Sequence, residues 1–282
     1  MDDPFVYLNG TLTPLSEAKV PVLDRGFIFG DGIYEVIPVY DRKLFRPKQH
    51  LARLFRGLAA VSIANPHTER EWLDLIEEVV QLHPAADQLV YIQVTRGVAK
   101  RTHAFPNSEP IPTVFIMSNP LIPLPDAARE NGVACVSMED KRWLRCEIKS
   151  TSLLGNVLAA QNAAAHDANE TIQFRDGFLT EGSASNVWVV KDGCLIGPPR
   201  DNLILEGIRY GLMEELCAAD HIPFKVQRIS RAEVFAADEV LLSSASKEVL
   251  PVVTIDGLAI ANGKPGPIYK KLYSAYQAAK IA

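Results

Sequence analysis

Asn119-Pro120-Leu121-Ile122-Pro123-Leu124-Pro125 divides the chain into two parts that read as separate folding problems. Three prolines in seven residues remove backbone donors, fix φ and bar a helix, so the stretch reads as a stiff linker. At 282 residues the chain is long for one core and has room for two of ordinary size. The expected organisation is a small N-terminal domain over 1–118, a linker over 119–126 and a larger C-terminal domain over 127–282.

Upstream of the linker, Glu35 to Tyr40 and Lys43 to Phe45 read as a hairpin around Asp41-Arg42. Pro47 opens a helix whose Leu51, Leu54, Leu58 and Val61 share one face. Thr68-Glu69-Arg70-Glu71 is a capping box for a second helix, with Trp72, Leu75, Ile76 and Val79 turned inward. Leu89 to Thr95 and Thr113 to Met117 are apolar, β-rich runs. Downstream, Asp176-Gly177, Asp192-Gly193 and Asp256-Gly257 each sit between apolar runs, the signature of a tight hairpin turn. Helices are expected at about 153–168, 207–219 and 267–281, and Ser230 to Glu233 is another capping box. Strands and helices do not alternate as regular βαβ units, so the fold class is α+β in both parts.

Hydrophobic residues make up 48% and charged residues 22%, the balance of a folded globular chain. A net charge of −5 lacks the basic bias of a nucleic-acid surface, and no nucleic-acid partner is expected. No stretch approaches the roughly 20 apolar residues of a membrane span, and Met1-Asp2-Asp3-Pro4 starts no apolar targeting core. Cys135, Cys146, Cys194 and Cys217 are scattered without C-x-x-C spacing, as reduced thiols of a cytoplasmic protein would be. His50, His67, His83, His166 and His221 form no metal-ligand spacing, so no metal is expected.

Chemistry enters with Lys149, at the end of Arg142-Trp143-Leu144-Arg145-Cys146-Glu147-Ile148-Lys149-Ser150, and with the small-residue turn Thr180-Glu181-Gly182-Ser183-Ala184-Ser185-Asn186. Alone, a lysine reads as a solvated surface residue and Glu181 as an exposed turn acid. Together they supply what pyridoxal 5'-phosphate chemistry needs: an amine to bond the cofactor and an acid to keep its ring nitrogen protonated. A phosphate needs donors. Leu205-Glu206-Gly207-Ile208 leads into a helix whose N-terminal N–H groups and partial positive charge suit an anion, although an ordinary helix start looks the same. Ser243-Ser244-Ala245-Ser246 could add hydroxyl and amide donors, and Arg53 could add charge.

Asp24-Arg25-Gly26-Phe27-Ile28-Phe29-Gly30-Asp31-Gly32-Ile33-Tyr34-Glu35-Val36 resembles the opening signature of the class IV aminotransferases, the fold-type IV pyridoxal-phosphate enzymes. Val94-Thr95-Arg96-Gly97 continuing to Arg101-Thr102-His103, then Trp143 to Gly155, then Thr180 to Asn186, resemble one branch closely: the bacterial D-amino acid aminotransferases. The resemblance runs in register from about residue 5 to residue 270.

It implies a small N-terminal α/β domain, a larger C-terminal domain with a barrel-like β core, and a homodimer. Lys149 would carry the cofactor and serve as the base that moves the substrate α-proton, and Glu181 would bond the pyridine nitrogen. Arg53, Gly207, Ile208, Ser244 and Ser246 would hold the phosphate, and Leu205 would pack against the ring. Tyr34, Arg101 and His103 would trap the substrate α-carboxylate, the arginine and histidine reaching across from the second subunit. Arginine suits that task because its planar fork makes two parallel hydrogen bonds to a carboxylate. Without the resemblance, Arg101-Thr102-His103 reads as a polar loop after a strand. The implied reaction moves an amino group from D-alanine or a similar D-amino acid to 2-oxoglutarate. A branched-chain L-aminotransferase and an aminodeoxychorismate lyase are the alternatives, and the Arg101-x-His103 pattern argues against both. Arg209 and Ala245 depart from the family pattern, each standing where relatives often carry a hydroxyl residue.

Overall fold

The computed structural model describes residues 3–108 and 110–281. Alternating apolar runs before the proline-rich stretch pair into a six-stranded antiparallel sheet. Its strands are β1 (Phe5–Leu8), β2 (Thr11–Pro14), β3 (Gly32–Tyr40), β4 (Lys43–Leu44), β5 (Gln88–Thr95) and β6 (Thr113–Pro120), in the order β2-β1-β6-β5-β3-β4. Three α-helices among the described residues belong to this unit: α1 (Arg25–Phe29), α2 (Pro47–Ala60) and α3 (Glu69–Leu82). Pro47 stands at the start of α2, where its missing N–H has no helical partner to lose. Thr68 and Glu71 close the expected capping box on α3. The core joins Ile33 and Ile37 of β3 to Leu51, Leu54 and Leu58 of α2 and Trp72 and Ile76 of α3. Strand parity then decides the other face. Ile33, Glu35 and Ile37 are buried, while Tyr34 and Val36 are only half-buried.

The second unit is built on α4 (Asp126–Asn131), β7 (Val133–Glu139), α5 (Leu154–Ala165), β8 (Glu170–Arg175), β9 (Phe178–Gly182), β10 (Asn186–Lys191), β11 (Cys194–Gly197), α6 (Ile208–Ala219), β12 (Phe224–Val226), α7 (Arg231–Phe235), β13 (Glu239–Ser244), β14 (Glu248–Ile255), β15 (Leu258–Ala259) and α8 (Pro267–Ala279). Nine strands form one curled, half-barrel sheet in the order β12-β11-β10-β13-β14-β7-β8-β9, with β15 paired to β14. The sheet is mixed: β7 runs parallel to β14 and β8, and β11 parallel to β12. The three Asp-Gly pairs turn hairpins as expected. Asp176, Asp192 and Asp256 have φ of 51°, 50° and 52°, and the glycine after each is left-handed too.

The division of the chain differs from one cut at a 119–126 linker. Asn119 and Pro120 continue β6, paired with Leu89 and Gln88, and Asp126 already opens α4. The first unit runs to Ile122 and then takes back Ile148–Leu153, so 127–282 is not continuous. The return has a physical cause. Ile148 is buried in the first core, and the Tyr34 N–H donates to the Lys149 carbonyl at 3.0 Å. The Thr151 N–H likewise donates to the Gly32 carbonyl at 2.9 Å. No helix among the described residues is long and apolar enough to cross a membrane.

Candidate active site

In the first unit, the returning segment pairs with the edge of β3 through an Ile33–Ser150 bridge and puts the Lys149 side chain on the Tyr34 side of the strand. Lys149 Nζ sits 4.1 Å from the centre of the Tyr34 ring. Among the described residues of its own unit it has no hydrogen-bonding or ion-pair partner, and the aromatic face is its electrostatic contact there. Tyr34 stacks on Tyr91 of β5 at 5.7 Å, and Tyr91 Oη donates to Gln93 at 2.7 Å, which holds the ring in place. Thr151 and Ser152 hydroxyls donate to the Gly30 carbonyl at 2.9 and 3.0 Å and pin the segment behind the lysine.

Arg53 projects from α2 onto the core face of β3. Its Nε and Nη2 donate to Glu35 at 2.8 and 2.6 Å, and His50 Nδ1 lies 3.0 Å from the same carboxylate. Burial alone would push the Glu35 carboxyl up, but Arg53 and His50 outweigh it and hold it far below the usual carboxylate range.

Arg101 and His103 lie on an exposed segment after β5, in bends rather than in a strand. Both reach the same ring: the Arg101 guanidinium is 5.4 Å, and the His103 ring 5.5 Å, from the centre of Phe29. Tyr34, the third expected member of this set, faces Lys149 instead.

In the second unit, Glu181 lies one residue before the end of β9 and is buried. Its Oε1 accepts from Arg142 Nη1 at 2.5 Å and its Oε2 from the Leu205 N–H at 3.0 Å. Arg142 is shared, because its Nε and Nη2 donate to Asp140 at 3.0 and 2.8 Å. Burial therefore dominates, and the Glu181 carboxyl is pushed up to about 7 although Arg142 and the Leu205 N–H oppose it. Asp140 moves the other way: Arg142 and Thr180 outweigh its burial and keep it below the usual range.

Gly207 is the N-cap of α6 and Ile208 its first residue, and no side chain caps this end. A β-carbon on Gly207 would lie 2.2 Å from Asn186 Oδ1, and Asn186 Nδ2 donates to the Leu205 carbonyl at 2.8 Å. The glycine thus lets the helix start pack on Asn186. Ser244 and Ser246 lie at the end of β13 and on the turn after it, and Ser244 Oγ accepts from the Lys247 N–H at 3.0 Å. Arg209 does not turn toward that turn with its Nε, which donates to Tyr276 of α8 at 3.3 Å.

Several residues that organise these groups were missed from sequence: Glu35 and His50 around Arg53, Asp140 and Arg142 around Glu181, and Glu170. The last is a buried hub. It accepts from Ser183 N at 2.9 Å, Ser183 Oγ, Ser185 Oγ at 2.6 Å and Lys247 Nζ at 2.5 Å. It ties the Glu181 turn to the Ser244–Ser246 turn. One signal was available: Glu35 shares strand parity with Ile33 and Ile37, and a charge on a core face requires a partner.

The chain matches the family profile described as amino-transferase class IV over residues 32–255. It is 41% identical over 271 residues to a D-alanine aminotransferase of Staphylococcus haemolyticus, covering 96% of each chain. It is 41% identical over 272 residues to a D-alanine aminotransferase of Staphylococcus aureus, again with 96% of each covered. Among solved structures it is similar to the branched-chain amino acid aminotransferase of Escherichia coli, with a TM-score of 0.93 at 24% identity, over 98% of this chain and 94% of that one. At that identity the likeness concerns the fold.

Proposed function

The chain belongs to the class IV amino-transferases, and we propose that it is a pyridoxal 5'-phosphate-dependent D-amino acid aminotransferase that moves the amino group of D-alanine or a similar D-amino acid to 2-oxoglutarate. The observation that carries this reading is the 41% identity to D-alanine aminotransferases across 96% of the chain. The residues fit the cofactor. Lys149 offers an amine beside an aromatic face, and α6 starts without a side-chain cap, as a phosphate-binding end would. Glu181 is a buried acid that its one arginine does not fully compensate, which suits a cationic ring N–H.

When bound, the cofactor supplies the electron sink that makes the substrate α-proton removable. Lys149 Nζ is the amine that bonds it and the base that moves that proton. Glu181 accepts from the ring nitrogen, with Arg142 fixing its orientation. Gly207, Ile208, Ser244, Ser246 and Arg53 hold the phosphate, and Leu205 packs on the ring. Tyr34, Arg101 and His103 receive the substrate α-carboxylate, with Arg101 and His103 serving the active centre of the other subunit in a homodimer. The exposure of Arg101 and His103, side by side on Phe29, supports that arrangement. The working compartment is the cytoplasm.

The test mixes the cofactor-loaded protein separately with D- and L-alanine and follows the visible absorbance of the bound cofactor. Bleaching by D-alanine is expected, and bleaching by the L-enantiomer alone would overturn the assignment. Lys149→Ala should abolish turnover, and retained wild-type activity would remove the lysine from its role.

A further inference from the structure

The segment that carries Arg101 and His103 has no regular secondary structure, yet it is clasped from beneath by two arginines. Arg25 of α1 donates from Nη1 to the Thr102 carbonyl at 2.7 Å and from Nη2 to the His103 carbonyl at 3.4 Å. Arg96 lays its guanidinium 3.7 Å from the centre of the Phe105 ring. It also donates to the Ser62 and Val61 carbonyls at 2.8 and 2.7 Å, which anchors it to the end of α2. Two buried guanidinium groups this close repel each other unless an anion lies between them. Asp31 is that anion. Its Oδ2 accepts from Arg25 Nε at 2.7 Å and from Arg96 Nε at 2.8 Å, and its Oδ1 from Arg96 Nη2 at 3.0 Å.

We infer that Asp31 is a positioning residue for the substrate-carboxylate trap: by holding Arg25 and Arg96 it fixes the 96–105 segment so that Arg101 and His103 are presented together on Phe29. The inference rests on the reading above, in which those two side chains bind the α-carboxylate. Arg25 grips backbone carbonyls, not the trap side chains, so the clasp sets where the segment lies independently of what it carries. Phe29 completes the support. It belongs to the same short helix as Arg25, whose guanidinium sits 4.8 Å from its ring, and Arg101 and His103 rest on that ring. Asp31 touches neither trap side chain, so it acts through others. Despite its partial burial, Arg96 and Arg25 keep its carboxyl below the usual range, so the clasp stays charged.

The consequence is a defect confined to carboxylate capture. In the cofactor-loaded enzyme, Asp31→Asn should raise KM for D-alanine and for 2-oxoglutarate in parallel by about tenfold, with kcat within about threefold of wild type. Cofactor affinity, read by titrating the cofactor-free protein, should not change, and trypsin should cut faster after Lys100 and Arg101. In an Arg101→Ala background the same substitution should add less than about twofold, because the two act on one step. Arg25→Lys keeps the charge beside Asp31 but cannot span to the Thr102 carbonyl, and it should reproduce the parallel rise in KM even if Asp31→Asn fails to fold. Unchanged KM values in Asp31→Asn or Arg25→Lys, while Arg101→Ala raises both, would overturn the clasp and leave the trap standing. Additive effects of Asp31→Asn and Arg101→Ala would overturn it too. Unchanged KM values in Arg101→Ala would remove the trap itself, and the clasp with it.

Discussion

Glu35 and Glu181 are both buried carboxylates that accept hydrogen bonds from an arginine, and they end in opposite electrostatic states. Glu35 receives two prongs of Arg53 and a bond from His50, and its charge is more than compensated. Glu181 receives one prong of an arginine that also gives two bonds to Asp140, and burial pushes it up to about 7. The difference separates structure from chemistry. A carboxylate whose charge is satisfied within the protein is a fixed strut, whereas one left short of positive charge is poised for a cation brought by a ligand.

The largest expected effect tests the strut. Glu35→Gln leaves Arg53 buried without its anion, which should lower unfolding free energy by about 3–5 kcal/mol. Thermal or urea unfolding of the purified protein reads this directly. A loss under about 1 kcal/mol would mean that Arg53 was not relying on Glu35. Glu181→Gln should behave in the reverse manner. Arg142 keeps Asp140, so stability should change little, while kcat should fall by about 10²-fold because the ring nitrogen loses its anionic partner. If the two substitutions instead gave the same balance of stability and rate, the contrast drawn here would collapse.

Acidity separates the pair next. A carboxyl in an unfolded chain titrates near pH 4.3. Glu181 titrates above that value in the folded protein, so its contribution to stability is fully present below about pH 4.3 and is lost as pH rises through about 7. Glu35 titrates below it, so its contribution is present above about pH 4.3 and is lost as pH falls toward the folded value. In the cofactor-free protein, wild type should therefore lose ground to Glu181→Gln between about pH 4 and 7, while its advantage over Glu35→Gln should shrink only in acid. Thermal midpoints measured across that range check both signs. A flat difference between wild type and Glu181→Gln would mean that Glu181 is already neutralised by its protein neighbours.

What could be read from sequence was local. The capping boxes at Thr68 and Ser230 and the Asp-Gly turns depend on residues a few positions apart, and all formed as expected. Lys149 and Glu181 could be singled out because their neighbours form motifs. The groups around them could not be, because they are joined across long separations: Arg53 with Glu35, Arg142 with Glu181, Lys247 with Glu170. The return of Ile148–Leu153 to the first unit was hidden for the same reason. Its cause is a backbone bond from Tyr34 to Lys149, and backbone bonds leave no mark on side-chain pattern. The proline-rich stretch misled in a physical way too, because Pro120 ends a strand as readily as it starts a linker.

The smallest effect lies at the phosphate end, where charge balance on a carboxylate plays no part. Ala245 follows Ser244 on the turn after β13, and Ser244 Oγ already accepts the Lys247 N–H. Ala245→Thr places a hydroxyl on this turn, adding one hydrogen bond to the charged phosphate worth about 1.5 kcal/mol. Cofactor affinity should tighten by about tenfold, with kcat unchanged. The corresponding change at Arg209 is a poorer probe, because it would forfeit the buried bond from Arg209 to Tyr276 and mix stability into the result. Fluorescence titration of the cofactor-free protein measures the gain. Unchanged binding in Ala245→Thr would mean that this turn does not face the phosphate, and the grip on it would then fall to the start of α6 and to Arg53. Arg53 is the guanidinium that Glu35 already holds, so such a result would enlarge the share of the phosphate that the strut carries and narrow the contrast with Glu181.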